Sequence, residues 1–376
     1  MARIDIRTAV VRQGQTFWAM HAGGGRKFAT YFREESLLFL ELAGVTLSEQ
    51  ILGDIERLRQ HVRMGERIAG YHDARNAGVD AEEPSRDPSQ YRSGPGRSDT
   101  GLNARVGNVH TLFVRVKKGD LVFVPITIGG VSYVLAGEVL EDFNPQTRAR
   151  LDLYTGEFVP ARRVKWIGQP IVRREIGDEL SLRLSNRHAI IAIGPEFRKD
   201  AVSYVYRNVS IDGSSQSIIN GAAYDGKRIT DIIDAIDLLN RALFLTARVD
   251  DAGVVANFNE VQPLSRQEAA EIVETFALEF SSPGAFRLAA KGIARTSLLV
   301  ALLLAFASDV SQSELANNTL ITNSLAPSDR EITPQVQEQL KGIMQILKPK
   351  DFKLLREEAK RSSDQIRLNV DGRVTP

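Results

Sequence analysis

Three groups of residues have types and spacings suited to chemistry. The first is Asp351 with Glu358-Ala359-Lys360. An Asp and a Glu-x-Lys on adjacent strands can hold Mg²⁺ and activate water for phosphodiester cleavage. Here the stretch DFKLLREEAKR reads as one helix, with Phe352, Leu355 and Ala359 on one side. Helical geometry misplaces the lysine, so no nuclease is expected from it. The second group is Asp231, Asp234 and Asp237, at three-residue spacing. They form the polar side of an amphipathic helix whose buried side is Ile232, Ile233, Ile236, Leu239 and Leu243. The third group is aromatic and basic. Phe17, Trp18, His21, Arg26 and Tyr31 surround Gly23-Gly24-Gly25, and Arg163, Lys165, Arg173 and Arg174 flank Trp166. Aromatic faces hold an unstacked base, and Lys or Arg neutralise phosphates.

The wider composition narrows the choices. The chain has 376 residues, enough for two or three domains. It is 43% hydrophobic and 25% charged, which excludes disorder throughout. The absence of cysteine excludes disulfides, a thiol nucleophile and Cys-ligated metals. Five scattered histidines leave little room for a histidine metal cluster. No metal or cofactor is expected. The net charge is +1, but it is uneven: positions 1–200 hold 29 Lys and Arg against 25 Asp and Glu. That excess favours a polyanion-binding surface in the N-terminal half. The most apolar run, 297–308, has 12 residues, too few for the roughly 20 of a membrane span, and reads as a core helix. Met1 to Val11 lacks an apolar targeting segment, so the expected location is cytoplasmic.

The elements that would position these residues are legible in part. Strands are expected at 15–20, 121–125, 131–141, 164–168 and 188–193, and a helix from Ser48 through Ile51, Ile55, Leu58 and Val62. Gly129-Gly130 joins two of the strands as a hairpin. The glycine triplet at 23–25 reads first as a flexible hairpin and second as a loop that approaches a ligand. Residues 74–108 are rich in Gly, Pro, Ser, Asp and Arg and read as a long, partly disordered loop. After Pro195 the pattern turns helical, with helices expected at 228–245, 265–280, 285–291, 296–308, 334–347 and 351–362. The expected fold class is therefore α+β. An N-terminal barrel with flanking helices (1–200) precedes a mostly α-helical C-terminal domain (210–376) for interaction or oligomerisation.

Four short motifs occur in order: Trp18-Ala19, Lys118-Gly119-Asp120-Leu121-Val122-Phe123-Val124-Pro125, Gly137-Glu138-Val139 and Val164-Lys165-Trp166. Together, over about residues 14–195, they resemble the N-terminal PUA-like (EVE-like) domain of Mrr-like restriction-endonuclease proteins. The resemblance implies a β-pseudobarrel that binds nucleic acid, often by accepting a flipped or modified base. On that basis the candidate base-binding and phosphate-binding residues are Phe17, Trp18, His21, Arg26, Tyr31, Arg163, Lys165, Arg173 and Arg174. The expected function is a DNA reader, modified bases included, in a restriction-like anti-phage setting. Cleavage would come from a separate nuclease or defence-system protein. The partners are then DNA or RNA, with a homo-oligomer through the helical half. The alternatives are an RNA-binding or small-ligand-sensing member of the same fold, and a protein-interaction scaffold.

Overall fold

The computed structural model describes residues 1–92, 100–186, 188–224, 228–249, 255–279 and 284–375. Residues 93–99 of the expected loop lie outside them. The fold is α+β and divides into two compact units. One spans 14–205; the other joins 1–13 to 206–376. The expected boundary at 200 therefore misses that the first 13 residues belong with the C-terminal part. The strand Thr8–Val11 lies parallel to Asn208–Ile211, and Arg3–Asp5 pairs with Leu320–Thr322 and Arg373–Thr375.

The 14–205 unit is built on an eight-stranded sheet. Its main path runs Ile190–Ile193, Phe17–Met20, Leu121–Ile128, Val131–Val139, Phe158–Trp166 and Leu37–Phe39. Arg148–Arg150 adds to Phe158–Trp166, and Ile171–Val172 adds to Val131–Val139. The hairpin at its centre closes through Gly129 and Gly130, at φ 56° and 80°. A two-residue turn with both φ positive matches the twist of its strands and favours glycine. The strand Leu121–Ile128 is buried over its first six residues, so it reads as a continuous apolar run.

The helix expected from Ser48 is interrupted at Gly53. Ser48 caps the turn Glu49–Leu52, and Asp54 caps Ile55–Asn76 by accepting from the Glu56 and Arg57 amides. Helical structure therefore reaches Asn76. Residues 77–92 after it carry little regular structure beyond a short turn at Pro88–Tyr91, but they are tied to the unit by side chains. Arg63 donates to the Tyr91 carbonyl, the Tyr91 hydroxyl donates to Ser85, and Arg86 pairs with Glu157. Residues Thr100–His110 form a helix that buries Leu102, Val106 and Val109 and runs into a π-helical turn at Thr111–Arg115.

Arg162 ties this segment to the sheet. Its side chain is fully buried, and its guanidinium donates to the carbonyls of Leu112 (2.9 Å), Val116 (3.1 Å) and Glu141 (2.5 Å). The end of a helix leaves carbonyls without backbone donors, and a planar fork of N–H groups satisfies several at once. Burial lowers the Arg162 pKa, with Asp142, Glu141 and Asp120 opposing that shift. Arg162 is thus an internal strut, although it is the immediate neighbour of Arg163 in the basic group that flanks Trp166.

The other unit is not mostly helical. Its larger sheet runs Val273–Glu279, Gly284–Lys291, Ser214–Gly221, Asn208–Ile211 and Thr8–Val11, with Leu368–Asn369 added to Ser214–Gly221. Ser214–Gly221 alternates buried and half-buried residues, and its serines are bonded internally: Ser215 donates to the Gly292 carbonyl and Ser217 to Asn208. Gly284–Lys291 is alanine-rich but is paired on both edges, so tertiary pairing overrides helix propensity. The helix expected at 265–280 stops at Ile272, and Val273–Glu279 is a strand. The capping box Ser265–Glu268 is present.

The apolar run lies in helix Arg295–Ala307, packed against helices Ile229–Ala247, Ile332–Ile346 and Pro349–Ile366 and against the sheet. It belongs to an internal core with Phe244, Leu340 and Leu355. Among the described residues, no helix is long and apolar enough to cross a membrane.

Candidate functional site

The sheet of the 14–205 unit delivers its first strand, Phe17–Met20, directly to His21 and the glycine triplet. Gly23, Gly25 and Arg26 all have positive φ (76°, 61° and 62°). A Cβ on Gly23 would come within 2.6 Å of the Phe28 ring. Glycine at 23 thus lets the loop fold back over Phe28. The loop forms one wall of a cavity of about 530 Å³. That volume is in the range of roughly 300–1,000 Å³ that small-molecule pockets occupy.

Four other segments complete the lining. The stretch 39–42 supplies Phe39, Leu40, Glu41 and Leu42. Helix Ile55–Asn76 supplies Val62 and Glu66; helix Thr100–His110 supplies Arg105, Asn108 and Val109. Ser185, Asn186 and Ala189 close the remaining side. The rings of Phe28 and Phe39 meet edge to face at 5.1 Å and give the cavity aromatic matter. Glu41, Glu66 and Asn108 give it acceptors.

The polar groups are held in place by their neighbours. Glu41 accepts from Lys27 and from the buried Tyr154 hydroxyl at 2.5 Å. Desolvation, together with the bond to Glu41, raises the Tyr154 pKa, so the phenol stays a donor. Arg105 pairs with Glu66. Desolvation raises the Glu66 pKa nonetheless, against the pull of Arg105. Arg26 donates to the Thr127 hydroxyl.

Burial lowers the His21 pKa; a hydrogen bond to the Asn186 backbone opposes this, and Arg173 and Arg26 reinforce it. His21 Nε2 is buried and unbonded. The sign of the pH effect follows from the lowered value. Below the ordinary pKa of 6.5 the unfolded chain takes up a proton that the folded chain refuses. Stability is therefore full above pH 6.5 and falls as the pH drops toward the folded pKa. Thermal melts between pH 7.5 and 5.5 should show this loss, and His21→Gln should reduce it.

Of the nine residues singled out by sequence, His21 and Arg26 line the cavity. Arg173 lies close enough to act on both electrostatically, but its guanidinium is bonded to Ser181 and Ser185. Tyr31 is half-buried against the unit's core. Arg163 is exposed and pairs with Glu141 at 3.7 Å; Lys165 and Arg174 are exposed. None of these four lines the cavity.

Phe17 and Trp18 are corrections. Phe17 is fully buried and Trp18 is 3% exposed. The Trp18 indole N–H donates to Asp120 at 2.8 Å, and the other Asp120 oxygen accepts from the Thr16 amide. Apolar neighbours and an internal carboxylate make Trp18 a core residue, out of reach of a ligand. Trp18→Ala should cost about 3–5 kcal/mol of stability, read by urea unfolding; an intact fold with selective loss of ligand binding would contradict this placement.

Sequence reasoning missed Glu41, Glu66 and Asn108. The glycine triplet carried a signal, because a functional loop was its second reading. Arg105 and Asn108 fell inside the segment read as disordered. Among the described residues, no three His, Asp or Glu come together as a metal site. Comparison of the chain with protein-family models, with curated proteins and with solved structures finds no match.

Proposed function

We propose that the protein binds nucleic acid and takes one extruded base into the cavity of its 14–205 unit. The observation that carries this reading is the lining itself. Carbon from the nearly buried Phe28 and Phe39 sits beside the acceptors Glu41, Glu66 and Asn108, with Arg26 and Arg105 on two other segments of the lining. A base removed from the stack needs apolar faces and polar partners for its edge. The carboxylates suit bases with amino donors. Exposed Arg163, Lys165 and Arg174 are the proposed contacts to the sugar–phosphate backbone, which give affinity without sequence information.

The four-motif resemblance to PUA-like domains supports the same reading, with DNA as the ligand and modified bases among its targets. A restriction-like defence role follows from that resemblance, with cleavage by a separate protein. The test is a duplex carrying 2-aminopurine at or beside the target position. Base extrusion should raise its fluorescence on binding. Binding with unchanged fluorescence would leave a backbone contact only.

The small net charge favours a second reading, a free nucleoside-like ligand in the same cavity. It predicts binding of the free nucleoside and none of the duplex.

A further inference from the structure

An edge of the 14–205 sheet carries a second contact surface, and we propose that it holds single-stranded nucleic acid, with successive phosphates on Arg148 and Arg150 and a base stacked on the Arg150 guanidinium. The inference rests on the reading of the protein as a nucleic-acid binder but uses no residue of the cavity. The short strand Arg148–Arg150 pairs with Phe158–Trp166 alone among the described residues, so its other edge is free. The register sets Arg150 opposite Phe158 and Arg148 opposite Pro160. Between them Ala149 and Val159 are fully buried, so the alternation of a strand puts Arg148, Arg150 and Phe158 on the opposite face.

Charged side chains on a free edge commonly guard against edge-to-edge pairing. This edge has more. Phe158 is 37% exposed, and the Arg150 guanidinium lies over its ring, 4.6 Å from the centre, with that of Arg148 at 6.0 Å. Arg148 is steadied by donating from Nε to the Pro145 carbonyl at 3.2 Å. Among the described residues neither arginine forms an ion pair. The neighbouring carboxylates are engaged elsewhere. Glu157 pairs with Arg86, and Glu141 accepts from the Thr147 hydroxyl and pairs with Arg163. Asp152, two residues from Arg150, is exposed and pairs with neither arginine.

A guanidinium lying on a ring keeps its N–H edge free, and its plane is already fixed, so little freedom is lost when it takes up a phosphate. Arg148 and Arg150 are two residues apart on one strand, a span of about 7 Å, which matches the step between successive phosphates of an extended single strand. The outer face of a guanidinium plane is also a platform for an unpaired base. A duplex keeps its base faces covered, so the arrangement favours single strands. A polyanion without bases would engage only the N–H edges.

The probes are a labelled thymidine oligonucleotide of about 15 nucleotides and an abasic oligonucleotide of the same length, titrated against the full chain by anisotropy at several salt concentrations. The thymidine strand should bind about tenfold tighter than the abasic strand. Arg150→Ala and Phe158→Ala, both at exposed positions, should remove that preference, and Arg150→Ala should also lower the salt slope by about 0.7. Arg150→Lys should keep the salt slope and lose the preference, because an ammonium offers charge without a plane. Equal binding of the two strands would make the edge a general polyanion contact and overturn the proposal, as would no binding, or binding that none of the substitutions changes. The 2-aminopurine duplex reports on the cavity separately, so failure of the one reading is distinguishable from failure of the other.

Discussion

Arg162→Ala is expected to unfold the 14–205 unit or leave it barely stable. The substitution strips donors from three carbonyls, those of Leu112, Val116 and Glu141, and empties the space of a fully buried side chain. Each orphaned buried acceptor costs about 1–3 kcal/mol. The sum, roughly 3–5 kcal/mol or more, is a large share of the 5–15 kcal/mol that holds a domain together. Arg162→Lys should recover little, since one ammonium on a flexible stem cannot reproduce a planar fork over three carbonyls. The measurement is urea unfolding followed by tryptophan fluorescence. Both tryptophans, Trp18 and Trp166, lie in this unit. A folded Arg162→Ala protein with weakened DNA binding would contradict this internal role.

Asn108→Trp is the second large effect, and it falls on binding. Asn108 projects from helix Thr100–His110 onto the cavity wall and is half-buried, so a larger side chain there fills the cavity from its edge. Stacking and edge contacts with a bound base are worth about 1–3 kcal/mol each. Losing both should reduce base-selective binding about a hundredfold. Salt-sensitive binding to unselected duplex should survive, because Arg163, Lys165 and Arg174 do not line the cavity. Filter binding or anisotropy with matched duplexes would read both. Equal losses on target and non-target duplexes would show that the cavity does not discriminate bases.

The contrast between these two residues shows what the sequence makes legible. The hairpin of Leu121–Ile128 and Val131–Val139 was readable because its signals are local: a Lys-Lys-Gly-Asp turn, a continuous apolar run and a Gly-Gly pair. Arg162 was not readable. Its three acceptors lie 21 to 50 residues away along the chain, and an arginine beside a tryptophan strand looks the same whether it faces water or carbonyls. Trp18 was misread for a related reason. Its partner Asp120 is distant in sequence, and a glycine loop after it suggested access.

The helix Thr100–His110 had a signal that composition masked. Leu102, Val106 and Val109 repeat at helical spacing, but the Gly, Ser and Pro before them set the reading of the whole stretch. One of the cavity's three acceptors, Asn108, was lost with it. In the other unit, serine-rich and alanine-rich strands defeated propensity because pairing on both edges decides their conformation. The helices Arg295–Ala307 and Ile332–Ile346 were found, the first from its continuous apolar run of 12 residues.

The measurement that tests the central claim most directly is a binding titration of the full protein at two salt concentrations. The ligands are matched duplexes with unmodified, methylated and hydroxymethylated cytosine, and single-stranded RNA. A base reader should prefer one ligand, weaken steeply as salt rises, and lose the preference, but not the salt dependence, in Asn108→Trp. Binding to none of them, at either salt concentration, would contradict the account.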